Sequence, residues 1–359
     1  MSTILVTGGT GYIGSHTCVA LIQAGYDVVV LDNLYNSNKV VLDRIKEITG
    51  TKPKFYETDI LDRAGLDKIF EENKIDAVIH FAGYKAVGES VQKPLTYYEN
   101  NISGSINLYQ AMRKAGCKTI VFSSSATVYG DPEKCPITED SKVGGTTNPY
   151  GTSKLMNEHI LEDVCVSDDD WSVMLLRYFN PIGAHKSGLL GEVPNGIPNN
   201  LVPYIARVAN GTLEYLRVFG NDYPTPDGTG VRDYIHVCDL ADGHIGAVKY
   251  ALEHKGVEHV NLGTGKGYSV LDVLHAYEKA CGKELPYKIL DRRPGDIAEC
   301  YADPSKAKKL FGWSAKYDID EMCEDSWNFT LKNPEEFSKI ATLSECSCTV
   351  KKQATENNR

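Results

Sequence analysis

Gly8-Gly9-Thr10-Gly11-Tyr12-Ile13-Gly14 decides the fold because of what stands on either side of it. Before it, Thr3 to Val6 is a short apolar run of the kind that forms a buried parallel strand. After it, a helical pattern runs from about Tyr12 to Ala24 and stops at Gly25. Strand, glycine turn and helix in that order make a dinucleotide site. The glycines permit a tight turn and close approach of a pyrophosphate, and the helix N-terminus offers it free N–H groups. Two registers fit: Gly9, Gly11 and Gly14, or Gly8, Gly11 and Gly14. A second strand, from Asp27 to Leu31, ends at Asp32, about twenty residues on. A carboxylate there accepts hydrogen bonds from both ribose hydroxyls and repels a 2′-phosphate, which favours NAD over NADP.

The pattern continues outward from that unit. Strands are expected around Phe55 (ending at Asp59), from Ala77 to Phe81, Thr119 to Ser123 and Ser172 to Leu176. Helical patterns fall near 40–48, at 63–72, along Leu95, Tyr98, Ile102, Tyr109 and Met112, and from Tyr150 to about Glu162. The alternation predicts an α/β fold with a doubly wound parallel sheet over residues 1–180. Asp59, at the same sheet edge as Asp32, is either an adenine contact or a helix N-cap. From Pro181 onward prolines break the chain into shorter pieces, read as a smaller α/β substrate domain over 181–340. The helix after His236 is a candidate to pack back on the sheet. Residues 341–359 are polar and read as a disordered tail.

Composition narrows the partners. Of 359 residues, 42% are hydrophobic and 24% charged, an ordinary globular balance. The net charge, 38 − 48 = −10, disfavours nucleic acid and anionic lipid as partners. No apolar run approaches a membrane span, and the first residues lack the pattern of a signal peptide. Cysteines at 18, 117, 135, 165, 238, 281, 300, 323, 346 and 348 form no C-x-x-C pair and match no zinc spacing, so no metal is expected. Reduced thiols and a cytoplasmic location are the matching expectation. His80, inside an apolar strand, reads as a core histidine.

Two further stretches carry chemistry. In Tyr150-Gly-Thr-Ser-Lys154 the phenol and the ammonium lie four apart, on one helix face. A lysine beside a phenol favours the phenolate, making Tyr150 a candidate acid/base for a hydroxyl or carbonyl. Val121-Phe-Ser123-Ser124-Ser125 leaves a strand with three serines at its carboxyl end, where ligands of such sheets bind. One of those hydroxyls can share a substrate proton with Tyr150.

The glycine turn, Asp32, the serine strand and the Tyr150/Lys154 pair together resemble the extended short-chain dehydrogenase/reductase family. Longer blocks are similar to the UDP-glucose 4-epimerases within it: Thr7 to His16, His80-Phe-Ala-Gly83-Tyr-Lys85, Tyr178-Phe-Asn180-Pro-Ile-Gly183 and Gly228-Thr-Gly-Val-Arg232-Asp-Tyr-Ile-His236. The resemblance runs from about residue 2 to residue 335. It implies reversible epimerisation of UDP-galactose and UDP-glucose at C4, through a 4-keto sugar, with NAD reduced and reoxidised in each cycle. Tyr150 is then the base, Ser125 the catalytic serine, and Lys154 the group that holds the nicotinamide ribose and lowers the Tyr150 pKa. Ser123 and Ser124 are left as strand-end hydroxyls. The resemblance places NAD against Gly8, Gly11, Tyr12, Ile13, Gly14, Asp32, Asn33, Asn36, Ser37, Asp59, Ile60, Phe81, Ala82, Gly83, Lys85, Asn100, Ser125, Tyr150, Lys154, Tyr178 and Phe179. It places the UDP-sugar against Ser125, Tyr150, Asn180, Asn200, Leu201, Phe219, Arg232, Arg293, Asp296 and Cys300, with Phe219 stacking on uracil and the two arginines on the diphosphate. A homodimer through the Leu95 and Tyr150 helices is implied, and a small residue at Cys300 implies room for N-acetylated sugars.

Two other readings share these features. A nucleotide-sugar 4,6-dehydratase or UDP-glucuronate decarboxylase has the same fold. A dehydratase, however, needs acid/base groups just after the serine strand, where this chain has Ala126-Thr127. A non-catalytic NAD-binding regulator on this fold has no need of Ser125, Tyr150 and Lys154 together.

Overall fold

Side-chain alternation explains why the first strand reads as continuously apolar. In Thr3–Thr7 (β1), Ile4 and Val6 join one core cluster and Leu5 the other, so both faces are buried. The computed structural model describes residues 2–194, 196–293 and 295–338. The next strands are Asp27–Asp32 (β2), Lys54–Glu57 (β3), Ala77–His80 (β4), Thr119–Ser125 (β5) and Ser172–Tyr178 (β6). They are followed by Asn180–Ile182 (β7), Leu216–Phe219 (β8), Val231–His236 (β9), Gly256–Leu262 (β10), Gly267–Ser269 (β11), Tyr287–Leu290 (β12) and Glu299–Cys300 (β13).

The central sheet has seven parallel strands in the order β10-β6-β5-β4-β1-β2-β3. One face buries Ile4, Val6, Val30, Ile79 and Val121 against the helices Tyr12–Gln23 and Val237–Glu253, through Cys18, Leu21, Leu240 and Val248. The other buries Leu5, Val29, Val78, Ile120 and Phe122 with Leu66, Leu108, Met112 and Trp171. Each such side chain stabilises the fold by roughly 1.5–3 kcal/mol before entropy is counted. Helices on both faces of a parallel sheet make this the doubly wound α/β fold expected.

The chain crosses the boundary expected at residues 180/181. β10 joins the sheet beside β6, and the helix Val237–Glu253 packs on the helix Tyr12–Gln23. A lone β6 edge would leave a row of unpaired backbone groups, and β10 covers it. The remaining strands build two small sheets outside this frame. β9 is central to one, with β11, β13 and β7 as partners; β8 pairs β12 in the other. The tail 341–359 lies outside the described residues.

Two local expectations change. β3 ends at Glu57, and Asp59 sits in the following turn, where its Oδ1 accepts from Leu61 N at 2.8 Å. The N-cap of the helix Arg63–Glu72 is Asp62, which accepts from Gly65 N at 3.0 Å. The long helix is also not uniform. It runs Pro94–Tyr98, passes through a π-helical turn at Glu99–Ser103, and continues as Gly104–Ala115. The apolar stripe splits there, with Leu95 82% exposed and Tyr109 and Met112 in the core. The wider turn lets the adjacent Asn100 and Asn101 both be buried, which a regular helix, turning about 100° per residue, does not favour.

His80 is the core histidine expected: its Nδ1 and Nε2 lie 2.7 Å from Thr7 Oγ1 and 2.9 Å from Ser105 Oγ. Burial pulls its pKa down to about 3, that of His16 to about 3 and that of His244 to about 4. These rings stay neutral in the folded chain but take up protons below pH ~6.5 once it unfolds. The stability they contribute is therefore present above pH ~6.5 and is lost as the pH falls toward the folded values. We expect the urea midpoint to drop sharply between pH 7.5 and pH 5, with roughly 1–2 kcal/mol lost per histidine. A midpoint unchanged over that interval would contradict the neutral burial of these rings.

Candidate active site

The glycine turn resolves its own register. Gly8 has φ +70°, and a Cβ there would sit 2.8 Å from Ala82 N. A Cβ on Gly14 would sit 2.2 Å from Gly8 O. Gly8, Gly11 and Gly14 are therefore the set that closes the turn and seats the helix. Beside them Asp32 is buried at the end of β2. Its Oδ2 accepts from Thr10 N at 3.1 Å, and its Oδ1 accepts from Leu34 N at 2.9 Å and the Ser37 hydroxyl at 3.1 Å. Asn33 Nδ2 donates to Asp59 Oδ2 at 2.7 Å, so Asp32, Asn33 and Ser37, on the stretch after β2 that also holds Asn36, gather with Asp59 of the turn after β3 at one sheet edge.

The loop after β4 closes over the same turn. Ala82 N donates to Thr7 Oγ1 at 3.2 Å. A Cβ on Gly83 would meet Asn101 Oδ1 at 3.2 Å, and Asn100 Nδ2 donates to that oxygen at 2.9 Å. The Phe81 ring lies 4.9 Å from that of His244, which also bonds the Tyr178 hydroxyl. Tyr12 donates to Gly183 O at 2.7 Å, while Ile13 packs on the core. Ile60 is buried beneath Gly104.

Tyr150 lies in the first turn of the helix Pro149–Ser167, whose N-cap Asn148 accepts from Gly151 N at 2.8 Å. That end of a helix favours a phenolate. The residue as a whole is partly exposed, but burial around its phenol raises its pKa; the Ser125 hydroxyl and the Lys85 charge pull it back. The sequence assigned that lowering to Lys154. Instead Lys154 donates to Ser123 O at 2.6 Å and to Ser123 Oγ at 3.1 Å, and lies 5.9 Å from the Tyr150 ring centroid. Burial lowers the pKa of its own ammonium to about 8. Ser123, expected only to finish a strand, is thus the anchor of Lys154.

The second group of expected residues converges on β9. Register places Arg232 opposite Cys300 of β13 and Asn180 of β7 opposite Tyr234. Asn180 Nδ2 donates to Asp233 O at 3.1 Å. Asp233 accepts from Thr264, Gly265 and Ala302 backbone N–H groups, tying two segments to β9. Arg232 donates to Val231 O at 2.8 Å. Arg293 donates to Asp296 Oδ2 at 2.8 Å, and its guanidinium covers the Phe219 ring at 4.8 Å. In this arrangement Phe219 stacks on an arginine, the face the sequence reading gave to uracil. Asn200 precedes the helix Leu201–Ala209. Cys300 packs with Ala126, Val128, Tyr129 and Phe179, next to the serine strand, and burial pushes its thiol up to about 12. A separate cavity of about 470 Å³ is lined by Asp227, Asp272 and Glu299 among others, and these carboxylates do not suit an anionic ligand.

A family model described as GDP-mannose 4,6 dehydratase matches residues 5–326. The UDP-glucose 4-epimerase of Bacillus subtilis is 63% identical over 330 residues, covering 92% of this chain and 97% of that one. The enzyme of that name from Pasteurella multocida is 61% identical over 332 residues, covering 92% and 98%. The chain belongs to the UDP-glucose 4-epimerase family. Among solved structures, a UDP-glucose 4-epimerase from Bifidobacterium longum, in complex with NAD+ and UDP, superposes with a TM-score of 0.91 at 57% identity, covering 93% of this chain and all of that one.

Behind Tyr150 and Lys154 of this epimerase-family chain lies a network that no motif announced. Glu158, one turn past Lys154, accepts from Arg177 Nε at 3.0 Å and Nη2 at 2.7 Å, and from the Ser124 hydroxyl. Arg177 Nη1 donates to the Tyr129 hydroxyl at 3.0 Å, which donates to Asn261 Oδ1 at 2.7 Å. All five residues are buried. The helix spacing 150, 154, 158 was a signal available in the sequence; the arginine partner, on β6, was not. Glu158→Gln leaves Arg177 buried without its counter-charge. We expect a loss of about 3–5 kcal/mol in chemical denaturation, with the midpoint as readout. A variant as stable as the parent would remove this pair from the account.

Proposed function

We propose that the chain interconverts UDP-galactose and UDP-glucose at C4, using Tyr150 as the base. The observation that carries this reading is the placement of Ser125, Tyr150 and Lys154 together at the carboxyl ends of the strands, beside the Gly8–Gly14 turn. The turn fits NAD: any Cβ at Gly8 or Gly14 would collide with backbone, and Asp32 is a buried carboxylate held at the end of β2 by Thr10, Leu34 and Ser37, placed for the ribose. NAD bound there supplies a hydride acceptor and donor for the sugar C4. The Tyr150 phenolate takes the proton of the 4-hydroxyl and later returns it, with Ser125 sharing that proton. Lys154 fixes the end of β5 through Ser123. Arg232 and Arg293 hold the diphosphate, Arg293 leaving its stack on Phe219 as the uracil takes that face. The 4-keto sugar turns over in the cleft before it is reduced again.

Ala126 and Thr127 follow the serine strand, and neither is an acid able to protonate a leaving hydroxyl, so the dehydratase reading is not favoured. We further infer a homodimer. Val91, Leu95, Met156 and Val166 are exposed apolar residues on the helices Val87–Gln92, Pro94–Tyr98 and Pro149–Ser167, as a helix-pairing face requires. The cytosol suits the chain: its eight described cysteines are all free thiols, and no described helix is long and apolar enough to cross a membrane.

A proton NMR time course on UDP-galactose, with no NAD added, tests the activity directly. Tyr150→Phe keeps the ring and removes the acid/base hydroxyl. Its kcat should fall by at least ~10²-fold while UDP binding survives; a near-normal kcat would show that another group is the base. Cys300 bears on substrate choice, because an acetamido group at C2 needs volume that a larger side chain would fill. Wild-type protein should also interconvert UDP-GlcNAc and UDP-GalNAc, and Cys300→Tyr should lose that activity alone. Turnover of UDP-galactose with none of UDP-GalNAc in the same wild-type assay defeats the assignment.

A further inference from the structure

Lys154 and His244 reach the same serine from opposite faces of the central sheet. Lys154 comes from the helix Pro149–Ser167, whose Leu161 packs in the cluster of Leu5 and Val29. His244 comes from the helix Val237–Glu253, whose Leu240 and Val248 pack in the cluster of Ile4 and Val6. Tyr178 of β6 stands opposite Ser125 of β5, so Ser123 is its diagonal neighbour on the same face, and the two hydroxyls meet. Lys154 Nζ donates to Ser123 O and Oγ. The Tyr178 hydroxyl bonds His244 Nε2, and His244 Nδ1 lies 2.8 Å from Leu240 O. All four side chains are buried.

The far end of this chain fixes the direction of every bond in it. A carbonyl only accepts, so His244 Nδ1 donates to Leu240 O. Burial lowers the ring's pKa to about 4, so the ring is neutral and Nε2 carries no proton. Tyr178 therefore donates to Nε2, which leaves its oxygen to accept from Ser123. Ser123 Oγ in turn accepts from the Lys154 ammonium. Each hydroxyl proton points away from the lysine, and the serine oxygen faces it. A leucine at 244 would extend the apolar stripe of Leu240, Ala247 and Val248. A polar ring buried in that stripe is costly unless it is bonded, and Tyr178 is the side chain it bonds.

We propose that His244 is a positioning residue that, through Tyr178 and Ser123, turns a hydroxyl acceptor toward the Lys154 ammonium and keeps that group charged. Its use in the reaction rests on the epimerase reading above. The ammonium lies 4.9 Å from the Phe122 ring centroid, and no described carboxylate forms an ion pair with it. Burial alone brings its pKa down to about 8, so a modest change in the dipoles around it alters its charge near neutral pH. Without His244 the Tyr178 proton can turn back toward Ser123 and place a positive dipole end beside the ammonium. Ser123 takes two of the three N–H donors of Lys154, and the third is left for the ribose of NAD. The other titratable groups around Lys154 are Tyr150 and Glu158 on its own helix, Arg177 of β6, His80 of β4 and Lys85 in the loop after β4. His80 stays neutral, and Glu158 and Arg177 neutralise each other, so Tyr150 is the neighbour to control for.

Carbon NMR of the NAD-loaded protein, labelled with 13C at the lysine Cε atoms, reads the Lys154 titration directly, and Lys154→Met assigns its signal. His244→Leu should lower the Lys154 midpoint by about half to one pH unit, with or without Tyr150→Phe. His244→Gln keeps an acceptor for Tyr178 and should titrate as wild type does. Ser123→Ala leaves the histidine in place and should move the midpoint in the same direction, which covers a leucine variant that folds poorly. In a Tyr178→Phe background, His244→Leu should add no further shift. The alkaline limb of kcat for UDP-galactose should move down with the midpoint. The proposal is overturned if the midpoint is unchanged in His244→Leu or in Ser123→Ala, if His244→Gln shifts it as far as His244→Leu, or if the His244→Leu effect persists in full without the Tyr178 hydroxyl. A midpoint that moves as expected in a protein that does not epimerise UDP-galactose defeats the epimerase reading and leaves the positioning role of His244 standing.

Discussion

A carboxylate and a guanidinium buried together hold the catalytic end of the sheet. Glu158 and Arg177 have almost no contact with solvent, and neither can be stable there without the other. The pair is also the junction of four elements. Glu158 comes from the Tyr150 helix and binds Ser124 of β5; Arg177 comes from β6 and reaches Asn261 of β10 through Tyr129. Because a buried charge tolerates little misalignment of its partners, the helix is locked in rotation relative to β5. That rotation sets where Tyr150 and Lys154, two turns and one turn earlier on the same face, meet Ser125 and Ser123.

The same burial sets the electrostatics of the reaction. Low polarity raises the pKa of Tyr150 and lowers that of Lys154 to about 8, so each group resists its charged form. The site answers with fixed positive potential. The helix N-terminus capped by Asn148, the Lys85 ammonium and the Ser125 hydroxyl all favour the phenolate. Glu192 works against this by pairing Lys85. Charges are accordingly matched within the protein, and Arg293 with Asp296 repeats the pattern.

What the sequence by itself determined is local. Six of the seven sheet strands were legible because a strand buried on both faces must be apolar at every position, and the intervening helices must be periodic. The glycine turn, Asp32 and the Tyr150/Lys154 spacing were legible because their chemistry needs residue types at fixed intervals along one element. Only tertiary structure decided the rest, since it depends on which elements become neighbours. β10 is an ordinary strand until β6 offers it an edge, so the seventh strand of the sheet was not legible. Ser123 is an ordinary strand-end serine until Lys154 folds over it. Glu158 and Arg177 lie nineteen positions apart in sequence, and Lys85 and Glu192 lie 107 apart. No pattern of period 2 or 3.6 encodes such pairs, because the force that selects them, mutual neutralisation of charge away from water, acts only once the chain has brought them together.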